Sequence, residues 1–270
     1  MGKYSRVALT SWQRAMVYRW NTALEVVGYL ATTIISISLW QFIFAKTGGQ
    51  SIRGYTPQEM VTYLIVSGYL ASAFWFTAQG NRIMNDIKDG VISNYLAKPM
   101  GILKYYLSYG LTGKAFQIMM STIGLVGLLV VFGIAGIPFA IHSDLFHVAF
   151  FIVLFVLAAL IQFFIFSSTS LLAFWMEEVW GISFVVRVFA DIAAGAFLPL
   201  TFFSVSWQHF FNFLPFRYII SVPANVLLMR LDIQQSLVAI ISSFAWMCTF
   251  YFCSLLLLRR GVRHYSAVGG

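Results

Sequence analysis

The chain has 270 residues, of which 60% are hydrophobic and only 10% are charged, and its mean hydropathy is +0.83. These values exclude an ordinary soluble domain and indicate that lipid surrounds most of the chain. The formal charge of +8 could suggest a nucleic-acid partner, but Lys and Arg stand in short groups beside apolar runs. We therefore predict a membrane protein that binds no nucleic acid.

The first segment, residues 1–21, precedes the long apolar runs. From Tyr4 to Met16 apolar side chains recur at helical spacing, whereas Arg6 and Arg14 fall on the opposite face. This pattern is typical of a helix that lies in the membrane interface. A basic anchor that only orients the first span is the alternative.

Six apolar runs are long enough to cross a bilayer. A spanning helix needs about twenty apolar residues to cover about 30 Å of hydrocarbon. The runs are 22–44, 60–79, 115–134, 146–174, 181–203 and 237–258. The sequence therefore predicts an all-α polytopic membrane protein, a single transmembrane domain over 1–270, with both termini on the same side.

The basic residues orient these spans. Twelve of the 17 Lys and Arg residues fall on one predicted side, in 1–21, in the second loop (80–114) and after the last span. They are Lys3, Arg6, Arg14, Arg19, Arg82, Lys88, Lys98, Lys104, Lys114, Arg259, Arg260 and Arg263; the others are Lys46, Arg53, Arg217 and Arg230 opposite, and Arg187 within a span. The positive-inside rule therefore favours cytoplasmic termini.

The second cytoplasmic loop is too long and too amphipathic for a simple turn. Gly90 can end one helical turn and Pro99 can stop the next. Between them the pattern predicts a short helix over 91–97 with Tyr95 and Leu96 on one side. Such a projection suits docking into a cytosolic partner.

The last outer segment, residues 204–236, is too aromatic for a solvated loop. Pro215 and Pro223 interrupt it. We expect two re-entrant half-helices that dip into the membrane rim and pack on protein, because irregular backbone at that depth must not face lipid.

Ionisable residues within the spans must face protein or water, because charge in hydrocarbon is costly. Glu25 lies near the start of the first span, and Arg187 and Asp191 are four residues apart in the fifth. The last two form a candidate intramembrane charge pair. A structural pair at a helix interface and a role in the substrate pathway both remain open.

Two acidic residues, Glu177 and Glu178, occupy the short turn between the fourth and fifth spans. A solvated acidic turn is one interpretation. A contact with a basic surface of a cytosolic partner is the other.

The sequence contains no complete catalytic or metal-binding motif of the kinds considered. It contains no GxSxG or HExxH motif, and His142 and His147 lack the further ligands that a metal needs. Residues 110–114 resemble part of a phosphate loop, but an earlier glycine and the following Ser or Thr are missing. We therefore predict neither an enzyme nor an ATP, metal or other cofactor site in this chain.

Three segments carry a family resemblance over essentially the whole chain. They are Asp-Gly-Val-Ile-Ser-Asn-Tyr-Leu-Ala-Lys-Pro at 89–99, Leu-Ala-Phe-Trp at 172–175 and Phe-Leu-Pro-Phe-Arg-Tyr-Ile-Ile-Ser-Val-Pro at 213–223. In this order and placement they resemble the ABC type 2 permease superfamily. They are most similar to a bacterial branch in which two different permeases work with one ATPase.

The resemblance implies an exporter permease in the bacterial plasma membrane. A cytosolic ABC ATPase dimer would bind ATP and Mg, and a second, different permease would complete the transporter. The segment after the second span would fit a groove on the ATPase, with the interfacial helix beside it. Carried over by position, the ATPase-coupling residues are Asp89, Gly90, Tyr95, Leu96 and Pro99.

The cargo is only weakly constrained by the sequence. An aromatic content of 18% and few charges within the spans favour an amphipathic or lipid-like molecule. A membrane scaffold or assembly factor that does not transport is the alternative function. An intramembrane enzyme would need a cluster of His, Asp or Glu at one depth, which the sequence lacks.

Overall fold

The computed structural model describes residues 2–74, 77–96, 101–139 and 144–265. Within these ranges the chain forms eleven α-helices and three short 3-10 turns, and no β-strand. The prediction of an all-α protein is confirmed.

The helices are, in order, α1 Lys3–Val17, α2 Arg19–Lys46, α3 Pro57–Phe74, α4 Thr77–Lys88, α5 Ile92–Leu96, α6 Ile102–Ala135, α7 Leu145–Leu171, α8 Trp180–Ala194, α9 Val205–Phe213, α10 Ser221–Leu227 and α11 Ile233–His264. The 3-10 turns are Leu172–Phe174, Leu200–Phe202 and Pro215–Tyr218. We call the end formed by α1, α4, α5 and the last turn of α11 the α4 end. The opposite end, formed by α9, α10 and the start of α11, is the α9 end.

Four helices in the described part are long and apolar enough to cross a membrane: Arg19–Lys46, Ile102–Ala135, Leu145–Phe174 and Ile233–His264. They contain four of the six predicted spans. The other two correspond to α3, whose first turn is polar, and to α8, whose 15 residues extend only about 22 Å at about 1.5 Å per residue. The total of six therefore stays a prediction.

Helix α3 forms the centre of the protein. Its apolar residues cover every face, and Met60, Tyr63 and Leu70 are fully buried, as expected of a helix surrounded by protein. Helix α2 approaches closely at Gly68, where an added Cβ would lie 2.2 Å from the Thr33 hydroxyl oxygen. Because α3 is surrounded by protein, little of its surface is left to face lipid.

Helices α7 and α11 form the most extensive helix pair. Ser168 and Ser254 share a buried hydrogen bond of 2.8 Å between their hydroxyls. At the α4 end, Gly261 packs directly on Phe174, and an added Cβ would lie 2.1 Å from the nearest ring carbon. This contact fixes the end of α11 against the Leu172–Phe174 turn.

We expect Gly261→Ala to lower the free energy of unfolding by about 1–3 kcal/mol, the usual cost of overpacking. The midpoint of thermal unfolding in a mild detergent measures this effect. Gly127→Ala is the matched control, because nothing lies within 4 Å of a Cβ added there. Equal midpoints for the two variants would show that Phe174 moves aside without cost.

The 204–236 segment contains two short helices, α9 and α10, on either side of the Pro215–Tyr218 turn. Pro215 starts that turn as the sequence suggests. Pro223, however, does not break the chain, since it lies within the first turn of α10, where the missing N–H is tolerated. Helix α10 is largely buried, and the predicted re-entrant depth of this segment in the membrane stays a prediction.

Candidate functional site

The predicted coupling element appears as α4, a sharp turn at Gly90 and α5. Gly90 has a φ of +74°, a left-handed conformation that side chains with a Cβ disfavour. Ser93 closes the turn by donating its backbone N–H to the Gly90 carbonyl at 3.2 Å, and Ile92 is fully buried. Leu96 ends α5. Pro99 lies outside the described residues.

A tyrosine cluster holds this element against α6. Its members are Tyr95, Tyr105, Tyr106 and Tyr109. The Tyr95 and Tyr105 rings are 4.5 Å apart between centroids, and Tyr106 meets Tyr95 edge-on at 5.9 Å. The cluster therefore joins α5 to α6, which is one of the candidate spans.

Arg82 of α4 inserts into the tyrosine cluster. Its guanidinium carbon lies 3.9 Å from the centroid of the Tyr109 ring, and Nη2 donates to the Tyr105 hydroxyl at 3.2 Å. Burial alone would lower the pKa of Arg82, but Tyr95, the neighbouring hydroxyls and the Asp86 carboxylate together raise it. Arg82 therefore stays charged and joins α4, α5 and α6.

The predicted acidic turn lies beside the coupling element. Glu178 Oε1 is 3.2 Å from Lys88 Nζ at the end of α4, next to Asp89. Glu177 is exposed, and Val179 behind the two acids is fully buried. An ion pair this exposed contributes little to stability. Both carboxylates lie at the surface.

The end of α11 completes this surface. A cleft of about 510 Å³ is lined by the end of α4, residues 173–178, His264 and Tyr265. The Tyr265 hydroxyl would lie 3.5 Å from a Cβ added at Gly90. The sequence analysis did not link His264 or Tyr265 to the predicted coupling element, because 150 positions separate His264 from the end of the 80–114 loop.

Helix α1 packs along the first half of α6. Trp12 meets Phe116 edge-on, with ring centroids 5.6 Å apart. The Ser11 hydroxyl donates to the Tyr109 carbonyl oxygen at 2.6 Å. The predicted interfacial helix thus reaches the same stretch of α6 as the tyrosine cluster.

A buried polar network links α2, α3 and α6 just inside this surface. Lys114 is only 7% exposed, and its Nζ donates to Gln117 Oε1 at 2.8 Å. Gln117 Nε2 donates to the Ser72 carbonyl oxygen at 2.9 Å and reaches Glu25 Oε2 at 3.4 Å. Lys114 lies within α6, which begins at Ile102, so the last part of the predicted 80–114 loop is helical. Its cytoplasmic position stays a prediction.

Comparison with known proteins identifies the family. A sequence model described as ABC-2 family transporter protein matches residues 30–269.

The chain belongs to the ABC-2 transporter family. The match runs from α2 to the end of α11, so it confirms the resemblance predicted from the three segments. No curated protein and no solved structure matches the chain significantly. The family places this chain in the context of ABC transporters as a membrane subunit, a class that is typically not catalytic.

The predicted charge pair of this ABC-2 chain lies on α8, away from the predicted coupling element formed by α4, Gly90 and α5. Arg187 and Asp191 are both half-buried and interact electrostatically. Tyr29 of α2 lies within electrostatic reach of both. Ala193 and Ala194 beside them are buried, which favours close packing. A structural pair and a substrate-pathway role both stay predictions.

We expect exchange of the pair, Arg187→Asp with Asp191→Arg, to be tolerated better than Arg187→Ala alone. A single change leaves one charge without its partner in a half-buried place, which is the costly state. The fraction of protein that stays monodisperse in detergent measures folding. A double variant as unstable as the single one would contradict a simple pair and favour a specific role for Arg187.

Proposed function

We propose that this chain is the permease subunit of an ATP-driven exporter. A separate ABC ATPase dimer binds ATP with Mg and supplies the energy, so this chain needs no catalytic residue. Membership of the ABC-2 family supports the proposal most strongly. The α4–Gly90–α5 element supports it independently, because a short helix anchored on a candidate span, with Asn94 exposed, is suited to receive force from a cytosolic partner.

The contacts suggest how force would travel. ATP-driven closure of the ATPase pushes on α5, and the tyrosine cluster passes the movement to α6. Helix α4 also packs on α7 and on the Leu172–Phe174 turn, which form one candidate span. The movement therefore reaches this span as well as α6. Glu177 and Glu178 then present negative charge to a basic surface of the ATPase. Rearrangement of two packed permeases by alternating access or lateral release follows.

The topology in this proposal has six spans and cytoplasmic termini in a bacterial plasma membrane. Helix α3 with the following residues would supply the second span, and α8 with residues 195–203 the fifth. The α4 end is then cytoplasmic and the α9 end outer. Exposed apolar residues on α2, among them Leu24, Ile35 and Phe42, offer a face for lipid or for a second, different permease.

The cargo in this proposal is amphipathic or lipid-like. Exposed apolar side chains are plentiful on α2, α6, α8 and α11, whereas the charges within the candidate spans are few. A small inorganic ion would need a continuous polar path, and no contact described above provides one. The competing candidate is a scaffold that binds partners without transport.

Purification of the tagged chain from its native membrane in a mild detergent, followed by mass spectrometry, tests this function. The proposal expects a soluble ATPase with a phosphate loop, together with a second permease. A membrane protein of similar abundance and span number, tagged in the same way, is the control for adventitious recovery. Recovery of the chain with unrelated membrane proteins only would favour the scaffold.

A further inference from the structure

Two cavities at the α9 end meet at Arg217. The first, of about 260 Å³, lies between Tyr55, the Leu200–Phe202 turn, α9 and α10. The second, of about 500 Å³, lies between Arg217, Tyr218 and the first turns of α11. Arg217 lines both. The coupling surface at the opposite end uses neither cavity.

Arg217 carries a positive charge without an acidic partner. It is half-buried, and its Nη1 donates to the amide oxygen of Asn212 at 2.5 Å. Among the described residues no carboxylate lies within 4.0 Å of its guanidinium, and its buried Nε has no hydrogen-bond partner. A guanidinium has five N–H donors. With one Nη1 donor bound to Asn212 and Nε shielded from solvent, the donors left for an anion are those of Nη2 and the second one of Nη1.

The neighbouring Arg230, in contrast to Arg217, has an acidic partner. Its Nη1 lies 3.0 Å from Glu59 Oε1 and 2.9 Å from the Gly54 carbonyl oxygen. Its guanidinium carbon also lies 3.8 Å from the centroid of the Tyr55 ring. The charge of Arg230 is therefore compensated by Glu59, whereas Arg217 has no carboxylate partner among the described residues.

The walls of the second cavity combine polar groups with apolar surface. Gln234 and Ser242 line it. Asp232 lines it too, but its carboxylate accepts the Gln235 backbone N–H at 2.7 Å and caps α11. Val238 of α11 also lines the cavity and is 57% exposed. Phe213 of α9 is 78% exposed. A ligand with a charged head and apolar chains matches this arrangement.

We propose that Arg217 binds the phosphate of an anionic phospholipid, with the headgroup in the second cavity and the acyl chains against α9 and α11. A cavity of this size falls in the range of small-ligand sites. The planar fork of arginine matches two phosphate oxygens. The site concerns lipid binding by this chain alone. It therefore stands whether or not the chain exports a cargo.

Native mass spectrometry of the full chain in detergent tests the site, with phosphatidylglycerol and phosphatidylcholine added at equal concentration as probes. We expect the wild type to retain phosphatidylglycerol preferentially. Arg217→Gln should weaken phosphatidylglycerol binding about tenfold, as expected for loss of a charge-assisted hydrogen bond, and Arg217→Lys should weaken it less. Retention of phosphatidylcholine should not change.

Lys46→Gln is the matched control, since it removes one exposed positive charge from the same end and should leave lipid binding unchanged. Equal loss in Arg217→Gln and Lys46→Gln would overturn the site in favour of general charge attraction. Equal retention of the two lipids by the wild type would overturn it without any variant. Displacement of phosphatidylglycerol by an equal concentration of inorganic phosphate would show a site for free anions, contrary to the proposal.

Discussion

Gly90→Val is expected to reduce recovery of the partner ATPase with the tagged chain at least tenfold. The Gly90 turn has a φ of +74°, which costs about 1–2 kcal/mol for a residue with a Cβ, and more for a β-branched one. The added methyl groups would also press on the Tyr265 hydroxyl, 3.5 Å from the Cβ position. The turn would open and carry α5 away from the tyrosine cluster.

The control for this change is Gly101→Val, at the start of α6. Gly101 has an extended backbone with a φ of −67°, and an added Cβ meets only the Lys104 methylenes at 3.7–3.8 Å. Quantitative mass spectrometry of the co-purified ATPase measures both variants. If both lose the ATPase equally while staying folded, the specific geometry of the Gly90 turn is not what the partner needs.

Lys114→Met is expected to destabilise the protein by about 1–3 kcal/mol, the range for leaving a buried hydrogen-bond partner unsatisfied. The Oε1 atom of Gln117 would stay buried but would lose the hydrogen bond that it accepts from Lys114 Nζ. The network that joins α2, α3 and α6 would loosen beneath α1. The midpoint of thermal unfolding in detergent measures the change.

Lys104→Met is the matched control, because Lys104 is exposed on the same helix and should change stability by no more than about 0.5 kcal/mol. A double-mutant cycle with Gln117→Leu isolates the interaction of the two side chains. A coupling energy near zero would show that the Lys114–Gln117 contact contributes nothing to stability.

Local sequence patterns predicted the short elements well. The alternation of Tyr4 to Met16 indicated a helix where α1 lies, and the Gly90 position marked the turn before α5. Both depend on spacing and backbone preference, which neighbours in sequence determine. Hydropathy likewise located the four helices that are long and apolar enough to span a membrane.

Long-range placement was beyond the sequence. The proximity of Glu178 to Lys88 joins two segments 90 residues apart, and no local pattern indicates it. Hydropathy placed the start of the third span at residue 115, because the tyrosines and polar residues before it are not apolar enough to predict a span. The helix that contains this span, α6, begins at Ile102. The spacing of Lys114 and Gln117, three residues apart, was a usable signal for a helix through this region.

Photo-crosslinking from Asn94 tests the proposed contact between α5 and the ATPase. Asn94 is exposed on α5, so a photoreactive amino acid there should leave the fold intact. A second probe replaces His209, which is exposed on α9 at the opposite end. Irradiation of intact cells, followed by mass spectrometry of the adducts, should yield an ABC ATPase from position 94 and none from position 209. An adduct with the ATPase from position 209, or none from position 94 in cells where the ATPase co-purifies with the chain, would contradict the account.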